Sequence, residues 1–246
     1  MEAPVLTLGF AVSTFLLAGF VKGVIGLGLP TIAMGLLAVV MTPAQAASLL
    51  VVPSFITNVW QLALGPGIGR LLRRLWPMLI GICVGAWAGV GLLADGARPS
   101  VALGAALALY AALGLTSVAF SVPAHAEPWL SPLIGAATGV VTAATGVYVI
   151  PAVPYLQALG LEKDELVQAL GLSFTVSTVA LAAVLAHDGV LETSVVGASL
   201  LALVPALIGM ALGQWVRSRV RPDLFRVCFL VGLLALGAHL AVRGLV

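Results

Sequence analysis

A run of 47 consecutive residues between Lys22 and Arg70 contains no charged side chain. A water-soluble domain carries charge on about a quarter of its residues, whereas only 8% of this chain is Asp, Glu, Lys or Arg and 61% is hydrophobic. Apolar stretches of about 18 residues or more are typical of transmembrane helices. The sequence therefore predicts an all-α polytopic membrane protein whose main partner is the lipid bilayer. No basic run indicates nucleic-acid binding.

Charged clusters and Pro/Gly pairs divide the chain into apolar segments, each of which we predict to be helical. The ten segments are 5–21, 29–41, 44–64, 75–93, 99–120, 129–143, 149–159, 165–186, 193–216 and 223–242. The acidic start of the chain and the lack of a small-residue cleavage site predict no removed signal peptide.

The two halves of the chain share three features in the same order. The matched features are residues 19–30 with 139–151, 44–48 with 169–173, and the ladder Gly81, Gly85, Gly89 with Pro205, Gly209, Gly213. Their offsets are all about 120 to 125 positions. The pattern predicts two repeats, 1–122 and 123–246, whose five segments we label a to e and a′ to e′.

Segments b (29–41) and b′ (149–159) are too short to cross a bilayer. At 1.5 Å per residue they would be about 20 Å and about 16 Å long, against about 30 Å of hydrocarbon. We therefore predict that a meets b, and a′ meets b′, near the membrane midplane, as discontinuous or re-entrant helices joined at Gly-rich breaks. Such irregular backbone is tolerated only where protein or a watery cavity covers it.

The arginines predict how the repeats are oriented. One cluster lies between c and d, at 70–74, and another lies around the d′–e′ connection, at 217–226, and loops rich in arginine are usually cytoplasmic. The c′–d′ loop, 187–192, contains acidic residues and no Lys or Arg, which places it outside. The c–d and c′–d′ loops are equivalent in the two repeats but are predicted to lie on opposite sides of the membrane. The repeats are therefore predicted to be inverted, as in many secondary transporters. Parallel repeats are the alternative, and they are favoured by Arg243, which the inverted arrangement places outside.

The two breaks form the predicted functional site. Gly26 and Gly28 precede Pro30 in the first, and Gly146 precedes Pro151 in the second, which is typical of a helix start. The unpaired N–H groups and the positive dipole end of such a helix attract anions. Two ends that converge near the midplane would bind one anion. The alternative is that these glycines only permit close helix packing.

Polar side chains near the breaks complete the candidate site. Lys22 would add positive charge, unless its ammonium snorkels to the membrane interface. Hydroxyl and amide groups could coordinate the oxygens of an anion, or could instead form interhelical hydrogen bonds. The predicted substrate-binding residues are Lys22, Gly26, Gly28, Ser48, Asn58, Thr145, Gly146, Tyr148, Ser173 and Ser177.

Several functional classes lack the residues they need. No Asp or Glu lies in the interior of a predicted segment, so neither a carboxylate proton relay nor a divalent-cation cage is expected. Cys83 and Cys228 lie in apolar segments, where we expect small buried hydrophobes rather than metal ligands. No hydrolase or metal-binding motif is present, so we predict no enzyme, metal or cofactor. A secondary transporter, an anion channel and a structural or assembly membrane protein are the candidates.

The repeated break followed by proline, the Ala-x-x-x-Ser of each half and the Gly ladder of segment d resemble the sulfite exporter TauE/SafE family of membrane permeases. The resemblance covers nearly the whole chain. It implies a multi-pass protein of the bacterial inner membrane that moves small anions such as sulfite or organosulfonates, often outward. For a secondary transporter of this kind, H⁺ and Na⁺ are the candidate coupling ions. Val147 and Tyr148 stand where the family's second break commonly has glycine, which predicts a narrower or reshaped site.

Overall fold

The computed structural model describes residues 2–93, 99–116, 121–191, 193–217, 219 and 222–244. These ranges contain ten α-helices and no β-strand. The helices are α1 (Glu2–Ile25), α2 (Leu29–Leu37), α3 (Pro43–Ala63), α4 (Ile68–Ala88), α5 (Pro99–Leu115), α6 (Glu127–Thr145), α7 (Ala152–Ala158), α8 (Lys163–His187), α9 (Thr193–Arg217) and α10 (Pro222–Arg243). Each predicted segment corresponds to one helix in order, and the all-helical membrane fold is confirmed.

Six helices in the described ranges are long and apolar enough to cross a membrane. The spans are Leu8–Ile25, Pro43–Ala63, Ile68–Ala88, Lys163–His187, Val195–Arg217 and Leu224–Arg243. The tryptophans are exposed on the outside of the bundle, and Trp60, Trp87, Trp129 and Trp215 lie within one turn of a helix end. Tryptophan is enriched at such positions because they meet the boundary between lipid and water.

Cys83 and Cys228 are exposed on the outer surface of the bundle, so the prediction that they are buried was wrong. An apolar residue of a membrane helix can face lipid as readily as the protein interior, because both surroundings lack water. Hydropathy alone therefore did not distinguish the two faces of α4 and α10.

Local sequence explains the two breaks. Gly28 has φ 111°, a left-handed conformation that favours glycine, and α2 begins after it with Pro30 in its first turn. Gly146, with φ 71°, ends α6. Helix α1 continues past Gly23 to Ile25, so the first break comprises only residues 26–28. The second break comprises residues 146–151 and leaves α7 with 7 residues, shorter than predicted.

Helices of one half of the chain pack against helices of the other. Helix α1 packs on α9 and α4 packs on α6, and in both pairs glycine brings the backbones close together. A Cβ added at Gly19 would collide with the carbonyl oxygen of Ala206, and one at Gly85 with that of Ala136. The halves therefore share one bundle, and the repeat boundary after residue 122 stays a prediction.

The remaining large contacts join α3 to α8 and α5 to α10. In the second pair, Gly104 near the start of α5 lies against Ala241 near the end of α10, while Gly237 lies against Ala108. Residue numbers thus rise along one helix as they fall along the other, so α5 and α10 are antiparallel. Helices α3 and α8 are antiparallel as well, since Gly171 in α8 lies against Leu62 in α3, while the later Thr178 contacts the earlier Asn58.

Polar contacts at helix ends define one face of the bundle. Arg74, near the start of α4, donates to Glu127 at the start of α6 at 2.7 Å and to the carbonyl oxygen of Leu159 after α7 at 3.3 Å. Arg70 donates to Glu165 in the first turn of α8 at 2.8 Å. The end of α3 leads directly into α4. We call this side of the bundle the arginine face.

The second arginine cluster lies on the same face. Ser199 in α9 donates to the carbonyl oxygen of Leu49 in the first half of α3 at 2.8 Å, so both helices begin at the opposite face. Helix α9 therefore ends, at Arg217, on the arginine face. Arg243 at the end of α10 donates to the carbonyl oxygen of Val39 after α2 at 2.9 Å and lies on the opposite face.

Each short helix returns to the face from which its hairpin started. Arg74 contacts both ends of the α6–α7 hairpin, which therefore enters and leaves at the arginine face. Helix α1 runs parallel to α9, because Gly19 lies against Ala206 and Gly23 against Met210. It thus begins at the opposite face, to which α2 returns. The two breaks are the inner turns of two hairpins that enter from opposite faces.

Gly85→Ala should destabilise the protein, because its new Cβ would overlap the backbone of α6. Overpacking of this kind costs about 1 to 3 kcal/mol of unfolding free energy. Gly232→Ala in α10 is the matched control, since a Cβ there meets nothing within 4 Å. Thermal unfolding in detergent measures both variants, and equal midpoints would contradict the close approach of α4 and α6.

Candidate functional site

Lys22 lies one turn before the first break and is the only charged residue among those described that is buried as a whole, with 4% of its surface exposed. Its ammonium donates to Thr57 Oγ1 at 3.1 Å and to Asn58 Oδ1, both on α3. The ammonium thus points into the bundle rather than toward the lipid interface. This geometry favours the interpretation of Lys22 as part of a site over that of a snorkelling lysine.

Asn58 extends these contacts into the second half of the chain. Its Nδ2 donates to the Tyr148 hydroxyl in the second break at 3.4 Å and to Thr178 Oγ1 on α8 at 3.3 Å. All of these side chains are buried. We call Lys22, Thr57, Asn58, Tyr148 and Thr178 the lysine network. It joins α1, α3, the second break and α8, and so brings three of the predicted site residues together.

Tyr148 is fully buried, and its ring centroid lies 5.1 Å from that of Phe174 on α8. The side chain therefore fills space between the second break and α8 while its hydroxyl reaches the lysine network. A glycine here would leave that space empty and would remove the hydroxyl.

The Lys22 ammonium has only neutral partners. The described carboxylates that form ion pairs are Glu127, Glu165 and Asp188, all near the two faces of the bundle. None of the described carboxylates lies within 4.0 Å of the Lys22 ammonium. Burial of an unpaired charge costs several kcal/mol even after the protein relaxes. A negatively charged ligand would offset that cost, so this site suits an anion.

Ser173 and Ser177 supply further polar groups on α8, the helix that contributes Thr178 to the network. Both are completely buried on α8, and neither hydroxyl has a hydrogen-bond partner among the described residues. Ser177 directly precedes Thr178, and Ser173 lies one turn earlier on the same helix. Buried hydroxyls nearly always have a partner, and leaving one unpaired costs about 1 to 3 kcal/mol. These two hydroxyls are therefore available to the oxygens of a ligand.

The other predicted residues have polar groups that are already bonded within their own segments. Ser48 donates to the carbonyl oxygen of Ala44, and Thr145 donates to that of Val141. The backbone N–H of Gly26 donates to the carbonyl oxygen of Lys22.

Hydrogen bonds and close packing at Gly28 and Gly146 hold the backbone of the two breaks in place. The Gly28 carbonyl accepts from Thr31 Oγ1 at 2.9 Å. The backbone N–H of Gly146 donates to the Thr142 carbonyl, and a Cβ on Gly146 would lie 2.7 Å from Met34 Cε and 3.3 Å from Ala47 Cβ. The second break is thereby held against α2 and α3, next to Ser48.

Sequence reasoning missed Thr57 and did not include Thr178 in the site. Thr57 and Asn58 are consecutive in α3, so their side chains leave the helix about 100° apart and do not share a face. Lys22 nevertheless reaches both, because its long side chain lies between them. Only the path of the Lys22 side chain from α1 to α3 in the folded protein reveals this arrangement.

A comparison with protein families identifies the class of the molecule. The model of the family described as "Sulfite exporter TauE/SafE" matches residues 11–240. The chain belongs to the sulfite exporter TauE/SafE family. The resemblance noted from the sequence is thereby confirmed, and the match contains both breaks and the whole lysine network. TauE/SafE proteins are membrane transporters that export sulfur anions. Neither a curated protein nor a solved structure matches the chain.

Lys22→Met should remove the stabilisation of this TauE/SafE protein by sulfite. A ligand that binds only the folded state at about 100 times its Kd stabilises it by about 2.7 kcal/mol, which raises the wild-type melting temperature. The methionine variant should melt no lower than wild type without ligand, because it no longer buries an unpaired charge.

Thr142→Val is the matched control for that experiment. Thr142 holds the corresponding position in the second half, and its hydroxyl donates only to the Thr138 carbonyl of its own helix. The control should keep the sulfite-dependent rise in melting temperature. A full rise in Lys22→Met would remove Lys22 from the site.

Proposed function

We propose that this protein is a secondary transporter that exports one small anion, such as sulfite or an organosulfonate, by alternating access. The observation that carries the proposal is the buried Lys22 ammonium, whose described partners are all neutral. Family membership supplies the class of sulfur anions, and the site supplies the preference for negative charge.

The chemistry of the proposed ligand matches the groups around the network. A sulfite or sulfonate head has three oxygens around one sulfur, so a single cation and several neutral donors can bind it. Lys22 would compensate the charge, while the unpartnered hydroxyls of Ser173 and Ser177 would donate to the oxygens. Because only one of these groups is charged, the anion can also leave, as a transport cycle requires.

We further propose that residues 1–122 and 123–246 are inverted repeats. Helices that hold the same position in the two repeats pack against each other in antiparallel pairs, α3 with α8 and α5 with α10. A two-fold axis that relates antiparallel neighbours is perpendicular to them, and so lies in the membrane plane. The same two-fold rotation would exchange α1 with α6 and α9 with α4, so it would place the α1–α9 contact on the α6–α4 contact. This pattern supports inverted over parallel repeats.

The same arrangement provides a mechanism for alternating access. The two hairpins enter from opposite faces, and the first contributes Lys22 while the second contributes Tyr148. Close glycine contacts make α1–α9 and α4–α6 two rigid pairs on either side of α3–α8. Rocking of these pairs about α3–α8 would open the network to one face at a time. The arginine face would be cytoplasmic by the positive-inside rule, in a bacterial inner membrane.

Transport of ³⁵S-sulfite by the purified protein in liposomes tests this function. We expect saturable uptake and counterflow, in which unlabelled sulfite inside the vesicles drives accumulation of label. Ser173→Ala should raise KM about tenfold, because a hydrogen bond to a charged ligand contributes about 1.5 kcal/mol or more. Uptake that does not saturate, together with unitary currents in planar bilayers, would instead identify an anion channel.

Cysteine labelling tests the inverted topology. In a background that lacks Cys83 and Cys228, Arg73→Cys and Arg219→Cys should both react with a membrane-impermeant maleimide from the cytoplasmic side. His187→Cys should react only from the outside. Parallel repeats would place residues 73 and 219 on opposite sides of the membrane, and labelling from opposite sides would contradict the proposal.

A further inference from the structure

A cavity of about 330 Å³ lies at the arginine face, between the end of α5, α7 and the start of α10. Arg226 and Gln157 line its outer part, and both are exposed. At its inner end it reaches Ile25 and Leu27, the two neighbours of Gly26 in the first break. The cavity thus leads from the arginine face to the backbone beside Lys22.

Phe229 lies between the inner end of this cavity and Gly28 of the first break. Its ring lines the cavity, and a Cβ added to Gly28 would lie 3.4 Å from its Cζ atom. Gly26, the first residue of the break, donates its N–H to the carbonyl oxygen of Lys22 at 2.8 Å. The inner end of the cavity therefore lies beside the turn of backbone that follows Lys22.

Arg226 is the one charged residue that lines the cavity, and its guanidinium has no ion pair or hydrogen bond with any described residue. Three other arginines of the arginine face are engaged. Arg70 and Arg74 pair with carboxylates, and Arg219 lies 3.7 Å above the Trp215 ring. The charge of Arg226 is therefore available to a solute that enters the cavity.

We propose that this cavity is the path by which the anion reaches its site from the arginine face, and that Arg226 is a specificity-determining residue at the mouth of the path. The inference rests on the proposed function, because it assigns the access route to the same site. A positive charge at the mouth of a cavity with low-dielectric walls concentrates anions there. This attraction acts on capture of the anion from one face and weakens as salt screens it.

Arg243 provides a matched control at the opposite face. It lines a separate cavity with Ser100 and Gln45, but its guanidinium donates to the carbonyl oxygen of Val39. Replacing it removes one arginine of similar exposure near the other end of α10. A change in net charge alone would affect both variants equally, whereas a role in access from the arginine face is specific to Arg226.

The experiment measures ³⁵S-sulfite uptake by the full-length protein in membrane vesicles of defined orientation. In inside-out vesicles at low ionic strength, Arg226→Gln should raise KM about three- to tenfold with kcat retained, since electrostatic attraction acts on encounter. Arg226→Lys should keep the wild-type KM, and Arg226→Glu should raise it further. The difference between wild type and Arg226→Gln should vanish at about 0.5 M of an inert salt, where the Debye length is only a few ångströms.

Other outcomes would overturn the inference. An unchanged KM in Arg226→Gln, an equal rise in Arg243→Gln, or a lower kcat at constant KM would each show that Arg226 does not capture the anion. Absence of sulfite uptake by the wild-type protein in both vesicle orientations would instead overturn the proposed function, and the access route with it. Size-exclusion profiles and melting temperatures of the Arg226 variants confirm that this exposed position leaves the fold intact.

Discussion

The buried ammonium of Lys22 is the interaction on which the rest of the site depends. The charge lies inside a bundle of apolar helices, where two neutral oxygens from α3 accept its hydrogen bonds. A chain that needed only a packed interior would use an apolar residue here, because burial of an unpaired charge is costly. A ligand of opposite charge would offset that cost, and this is the reason for proposing an anion as the ligand.

Two features of the fold allow that lysine to meet the second half of the chain. The first is the pair of hairpins, whose inner turns place irregular backbone inside the bundle, where neighbouring helices cover it. The second is the set of glycine contacts between α1 and α9 and between α4 and α6, which bring helices within backbone contact. With larger residues at these positions, α1 and α6 would be displaced, and Lys22 and Tyr148 could not share Asn58 as a partner.

Much of the fold could be predicted from the sequence, because long uncharged stretches and Gly/Pro breaks specify membrane helices locally. The breaks, Lys22, Asn58 and Tyr148 were all identified in this way. Thr57 could not be, because its role depends on the direction in which the Lys22 side chain crosses from α1 to α3. The lipid-facing positions of Cys83 and Cys228 were mispredicted because hydropathy does not separate lipid from protein interior. Ser48 and Thr145 matched the repeat pattern, yet their hydroxyls bond within their own helices.

Binding of a sulfur oxyanion beside Lys22 is tested most directly by locating a bound analogue of sulfite. Selenite has the charge and pyramidal shape of sulfite, and its selenium scatters X-rays anomalously, so a crystal of the protein grown with selenite would reveal the ion. We expect an anomalous peak for the selenium of one selenite ion, whose oxygens lie within hydrogen-bond distance of Lys22 Nζ and of Ser173 or Ser177. An ordered lysine network without a peak, or a peak elsewhere in the molecule, would contradict it.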